Sequence, residues 1–119
     1  MKWYLVKIVY QIICGNGNHT AQFDEQLRLI SAEEEPGAIA KAMTIGKQEE
    51  EMFENDKKQL VQWKFINVTE VYPLSSLIDG AELYSQVKEA DDVDAYRSFI
   101  HHKAIVLRKK HLHPSFQIA

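Results

Sequence analysis

Several side chains in this chain have types and spacings that could do chemistry. The histidines cluster as His101-His102 and His111-Leu112-His113. Adjacent residues on a helix lie about 100° apart, and the three- or four-residue spacing that lets two helical ligands share an ion is missing within each pair. No His-Glu-x-x-His and no cysteine pair accompanies them, so they read as structural or surface histidines and no metal is expected. Cys14 would be a nucleophile only beside a base that makes its thiolate. A tight turn at Asn16-Gly17 would set His19 opposite it, but at a hairpin tip where a water-excluded pocket is hard to build. Gly15-Asn16-Gly17 superficially resembles a phosphate loop. The segment after it reads as a strand, so no helix N-terminus points at a phosphate, and no Gly-Lys-Ser/Thr follows.

Glu25 is the most unusual residue. The turn at Asn16-Gly17 places it opposite Ile8 on an otherwise apolar face, where an unpaired carboxylate costs several kcal/mol. A rim position, a hydrogen bond from a Tyr or Trp, or a local bulge would make it structural; a ligand-facing acid is the sharper reading. Tyr10, Glu25 and Trp63 then form a candidate ligand-binding lining, provided that the first helix leaves room above them.

These residues are positioned by a hairpin over the first thirty residues. Asn-Gly favours a type I′ turn, in which both central residues take positive φ. With Asn16 and Gly17 in that turn, Tyr4 faces Leu29, Val6 faces Leu27, Tyr10 faces Phe23 and Ile12 faces Ala21, all on one apolar side. Lys7 then pairs with Gln26 and Gln11 with Gln22 on a mainly polar side. Ser31 to Glu35 reads as a helix entry, with Pro36 where the first turn can accept it, and a helix to about Asn55 would bury Ile39, Ala42, Met43, Ile45, Met52 and Phe53. Gly46 inside it either permits a close crossing over the sheet or softens the helix.

Leu60 to Leu74 reads as a strand whose alternation changes phase near Phe65-Ile66, which a β-bulge would reconcile. Pro73 is expected to end its pairing. Ala81 to Lys88 is expected as a fourth strand. Asp91 and Asp92 open a second helix with Val93, Tyr96, Phe99, Ile100, Lys103, Ala104 and Leu107 on its covered side. The basic helix end and tail run from 108 to 119, with Phe116 and Ile118 the tail's docking candidates. The fold class is α+β: one domain over 1–119, ordered β-β-α-β-β-α, with a four-stranded, mainly antiparallel sheet and helices on one face.

Composition sets the limits. The chain has 119 residues, 45% hydrophobic and 26% charged, which suits one folded domain rather than a disordered segment. A net charge of −3 argues against a general nucleic-acid binder. Charge is uneven, however: residues 33–56 hold eight carboxylates against Lys41 and Lys47, a balance of −6. Residues 97–111 hold Arg97, Lys103, Arg108, Lys109 and Lys110 and no acid, a balance of +5. The single cysteine fits a reducing compartment, so a cytoplasmic protein is expected. No apolar run is long enough to span a bilayer and the N-terminus lacks a signal peptide's regions, so no membrane partner is expected.

The stretches Lys2 to Lys7, Ile12 to Thr20, Phe23 to Ile30 and Trp63 to Val68 carry a resemblance. They are similar to a family of small bacterial proteins known only as a domain of unknown function, from the N-terminus to about Ala95. The resemblance implies a bacterial, cytosolic, stand-alone domain and brings no activity, cofactor or catalytic residue. On the sequence, the expected function is a non-enzymatic interaction or small-ligand-binding module that forms a homodimer through its sheet. The motive is an apolar patch of Trp3, Leu5, Val9, Ile66 and Val68 on the face away from the helices. The alternative is an enzyme or enzyme subunit with Glu25 in a cleft under the first helix. No catalytic residue or cofactor is assigned, and the partner is a second copy, an unidentified protein or a small molecule.

Overall fold

The computed structural model describes residues 1–111. The chain divides into two compact units, Met1–Ser85 and a second from Gln86 onward. The first unit holds β1 (Lys2–Cys14), β2 (Gln22–Ala32), α1 (Glu35–Gln48), β3 (Glu51–Glu54) and β4 (Leu60–Leu74); the second holds α2 (Val93–Lys110). The order is the expected β-β-α-β-β-α, and the four strands form one antiparallel sheet ordered β2-β1-β4-β3.

β1 is central because its run Tyr4 to Tyr10 is apolar on one face and hydrogen-bonded on both edges. Tyr4, Val6, Ile8 and Tyr10 are all buried, and they meet Ile30 and Ala32 of β2 and Ala38 and Ala42 of α1 in one core. The small side chains at 38 and 42, one turn apart, let the helix approach the sheet closely. Gly46 extends that stripe for a second reason. A Cβ there would overlap the Phe65 ring, so the glycine permits a close crossing.

β4 carries two irregularities that keep its apolar residues on the core side. The ladder passes from Lys7↔Glu70 to Ile8↔Val68 and from Val9↔Asn67 to Tyr10↔Phe65, leaving Thr69 and Ile66 as extra residues. The bulge at Ile66 is the one that the phase change implies, and it returns Val68 to the core face beside Phe65 and Val71. Val68 therefore does not belong to the outer patch.

Four expectations need correction. The hairpin register is shifted by one residue, so that Tyr4 faces Ile30, Val6 faces Arg28 and Tyr10 faces Asp24, with Phe23 opposite Gln11 on the other surface. The cause lies in the connection: the last pair is Ile12↔Gln22, so nine residues, 13–21, separate the paired ends, an odd number where the expected two-residue turn would leave an even one. Gly15 and Gly17 take positive φ while Asn16 does not, and Gly17 N–H donates to Cys14 O at 3.0 Å. Positive φ at the first central position only is the sign pattern of a type II′ turn, and it is Gly15, not Asn16, that supplies it.

Second, α1 begins at Glu35 after Glu34, which makes no side-chain cap, and ends at Gln48, not near Asn55. Three consecutive glutamates, Glu49 to Glu51, meet the negative end of the helix there. Met52 and Phe53 consequently lie on β3 and are exposed. Third, residues 81–88 form no strand. The place beside β4 is taken by β3, joined to it through a short turn in which Asn55 Oδ1 accepts from the Lys57 and Gln59 N–H groups, each at 2.9 Å. Fourth, pairing continues past Pro73 to Leu74. β3 reaches only Leu60 to Trp63, so the far end of β4 is an edge where proline's missing N–H costs nothing.

α2 is capped by Asp92, whose side chain accepts from Ala95 N–H at 3.0 Å. None of its residues is buried, so the covered side expected along Val93, Tyr96, Phe99, Ile100, Lys103, Ala104 and Leu107 is not found among the described residues. Lys103 instead lies over the Phe99 ring at 5.2 Å. His113, Phe116 and Ile118 lie outside the described residues.

Candidate functional site

The shifted register inverts β2. Its side chains toward α1 are Gln22, Asp24, Gln26 and Arg28 before Ile30 and Ala32 enter the core, and those on the outer surface are Phe23, Glu25, Leu27, Leu29 and Ser31. The strand thus turns polar groups inward and apolar groups outward over its first half. Both consequences concern function.

On the inner side, the polar groups form one network at the C-terminal end of α1. Arg28 holds the Glu49 carboxylate through Nη1 at 3.1 Å and Nη2 at 2.8 Å, a two-pronged pair. Its Nε and Nη2 also donate to Gln26 Oε1, at 3.0 and 2.7 Å. Gln26 Nε2 donates to Asp24 Oδ2 at 2.6 Å, and the Trp63 indole N–H donates to the same oxygen at 3.1 Å. The guanidinium holds the Glu49 carboxyl below the usual carboxylate range, and Arg28 is in turn raised by that hydrogen bond.

Tyr10 closes the network from beneath. Its hydroxyl donates to Gly46 O at 2.8 Å, a helix-end carbonyl whose ordinary partner, Glu50 N–H, turns to Lys47 O. Burial, and after it the Glu49 carboxylate, push the Tyr10 phenol above its usual value, against a smaller opposing effect of Arg28. The ring meets Phe65 edge-on at 6.1 Å.

Above these groups lies a groove of about 250 Å³, lined by Tyr10, Gln26, Arg28, Glu49, Glu51, Phe53 and Trp63. Phe53 and Trp63 stack at 6.0 Å with an interplanar angle of 22° and make its aromatic wall. Two of the three residues singled out in the sequence, Tyr10 and Trp63, are therefore brought together. Glu25 is not. It lies opposite Val9 on the outer surface, where Lys7 Nζ approaches its carboxylate at 3.3 Å and that of Glu70 at 2.7 Å. Hydrogen bonds to Glu70 and then Glu25 raise the Lys7 ammonium above its usual value. The cleft under the first helix with Glu25 in it is thus overturned by the one-residue shift. The inward carboxylate is Asp24, its neighbour, and Arg28, Glu49 and Phe53 join the groove without having been singled out. The signal for Arg28 was present as the lone cation of an apolar-alternating strand.

His19 serves the hairpin loop. The Cys14 backbone N–H donates to His19 Nε2 at 3.0 Å and His19 Nδ1 lies 2.8 Å from Thr20 O, so the imidazole lone pair is engaged by the backbone rather than by the thiol. No group of three or more His, Cys, Asp or Glu side chains among the described residues is arranged to hold a metal ion. No described helix is long and apolar enough to cross a membrane. A second depression, of about 370 Å³, lies between residues 72–76 and 81–85, where Tyr84 packs edge-on against Tyr72 at 5.1 Å. Glu82 is the one charged side chain in its lining, so it lacks the convergent polar groups of the groove beside Tyr10.

Residues 3–85 match the family described as a domain of unknown function, DUF4288. The chain belongs to that family. The matched residues end where the first compact unit ends, so the family's domain is the unit that carries the sheet, α1 and the groove. No curated protein and no solved structure shows significant similarity to the chain.

Proposed function

We propose that this DUF4288 domain is a non-enzymatic interaction module that self-associates by pairing β2 with β2 of a second copy. The carrying observation is the inverted edge strand. β2 runs for eleven residues at the border of the sheet with only β1 beside it, and its outer surface exposes Phe23 by 55%, Leu27 by 43% and Leu29 by 50%. A long edge with apolar side chains is a template for another strand. Lys41 Nζ donates to Ser31 O at 3.2 Å from outside the ladder. The alternation of an antiparallel ladder then turns the backbone groups of Leu29, Leu27, Glu25 and Phe23 the same way, off the edge.

Leu27 is the middle residue of the strand. A two-fold axis through it sets Arg28 opposite Gln26, Glu25 opposite Leu29 and Asp24 opposite Ile30, with no like charges facing. The outer leucines of the two copies then cover one another beside the Lys7, Glu25 and Glu70 ion cluster. A second copy also suits a strand whose opposite face spends its polar groups on each other. The lone Cys14 and the family resemblance support a bacterial, cytoplasmic setting.

The test is mass by light scattering at tens of micromolar, for the wild type and for Leu27→Lys. Leu27 is exposed, so the lysine is tolerated by the fold, and a guarding edge lysine blocks strand addition. The expected result is twice the 13.8 kDa chain for the wild type and a monomer for the variant. A monomeric wild type, or a variant that dimerises equally well, overturns the proposal.

A further inference from the structure

The groove beside Tyr10 has chemistry of its own, independent of the β2 edge. Its wall is the Phe53 and Trp63 stack, and its floor includes the buried Tyr10 ring. Glu49 and Glu51 both line it, and Asp24 stands behind Trp63, bound to the indole N–H. Arg28 is the cation among them, and its donors are already engaged by Glu49 and Gln26. An anionic ligand would have to displace Glu49 from a bidentate pair before meeting the guanidinium. The Glu51 carboxylate, by contrast, has no hydrogen-bond or ion-pair partner among the described residues, and Glu51 sits opposite Trp63 in the β3–β4 ladder, beside the aromatic wall. Acceptors are in surplus and donors are taken.

We infer that this groove binds a small organic cation, a primary ammonium carried on an aromatic or short apolar stem. The stem lies against Phe53 and Trp63, where the faces of the rings attract positive charge, and the ammonium points to the unpaired Glu51 carboxylate. The volume of about 250 Å³ suits a ligand of one ring and a short chain. The field at the groove agrees: the carboxylates of Glu49, Glu50 and Asp24 all act to raise the Tyr10 phenol, with Arg28 acting alone against them.

The experiment is a titration of the isotope-labelled, full-length protein followed by NMR at the Trp63 indole N–H, which the hydrogen bond to Asp24 makes a local reporter. Phenethylammonium is the probe; 2-phenylethanol, its neutral counterpart, and phenylacetate, its anionic one, are the comparisons. The expected result is a saturable shift with phenethylammonium at about millimolar or lower Kd, with the alcohol at least about tenfold weaker and phenylacetate weaker still. Glu51→Gln should weaken the cation by about threefold or more, and added salt should weaken it in the wild type but less in the variant. Phe53→Leu, at an exposed position that leaves the reporter in place, should weaken cation and alcohol together. No saturable shift with the cation, equal affinity for cation and alcohol, or an unchanged affinity in Glu51→Gln each overturns the inference.

Discussion

Replacing Tyr10 by Phe removes one oxygen from a side chain that is 1% exposed and leaves the ring where it is. The edge-on contact with Phe65 survives, so little cavity is created. The loss is a 2.8 Å hydrogen bond and, with it, the only described donor to the Gly46 carbonyl at the end of α1. A buried acceptor left bare costs about 1–3 kcal/mol. The expected destabilisation is therefore about 2 kcal/mol, which for a unit of this size lowers Tm by about 8–16 °C. Urea unfolding followed by circular dichroism measures it, with the denaturant slope unchanged because the same surface is exposed. The alkaline limb gives a second reading. Burial raises the folded-state phenol above its unfolded value near 10, so above that pH the unfolded chain gives up its proton first and wild-type stability falls until the folded phenol also titrates. The Tyr10→Phe variant lacks that part of the fall. A stability change below about 0.5 kcal/mol, within the range of an ordinary surface substitution, would refute the reasoning, as would an alkaline limb identical to the wild type.

Gly46→Ala gains about 1 kcal/mol of helix propensity but drives a Cβ into the Phe65 ring at an overpacking cost of about 1–3 kcal/mol; a net loss near 1 kcal/mol by chemical denaturation is expected, and a stabilised variant would contradict the close crossing. Glu49→Gln should flatten the acid limb of the stability curve. The carboxyl titrates below its unfolded value of about 4.5 because Arg28 holds it, so its contribution is present above that value and lost as pH falls through the lowered one. Lys58 is the one non-glycine residue with positive φ among those described, at 60°; Lys58→Gly should stabilise by a few tenths to about 1 kcal/mol in thermal unfolding, and a lower Tm would contradict that.

Much of the architecture was legible in the sequence because it rests on period and punctuation. The run from Leu60 to Leu74, the bulge at Ile66 and the Asp92 cap all follow from local chemistry. What was not legible turned on competition between local options of nearly equal worth. Gly15-Asn16-Gly17 offers a turn led by Asn16 and another led by Gly15; the chain takes the second and adds further unpaired residues before Gln22, and that odd-length connection moved Phe23, Leu27 and Leu29 outward and Asp24, Gln26 and Arg28 inward. Met52 and Phe53 keep helical spacing with Ile45, yet the three glutamates before them end the helix and the Asn55 turn folds them back as a strand. The alternation of Ala81 to Lys88 is genuine, but the segment forms no strand. In the candidate site, Tyr10 and Trp63 were legible as large aromatics on one face; Glu25 was misplaced because a carboxylate's face depends entirely on register.

The claim on which the functional reading depends is that the outward backbone groups of β2 meet a second copy. Residue-resolved amide exchange of Leu27 and Glu25, compared between micromolar and near-millimolar protein, tests it directly. Protection that rises with concentration at these amides, while that of Gln26 and Arg28 in the β1 ladder stays constant, is the predicted result. Leu27 and Glu25 amides that exchange at the same fast rate at both concentrations would contradict it.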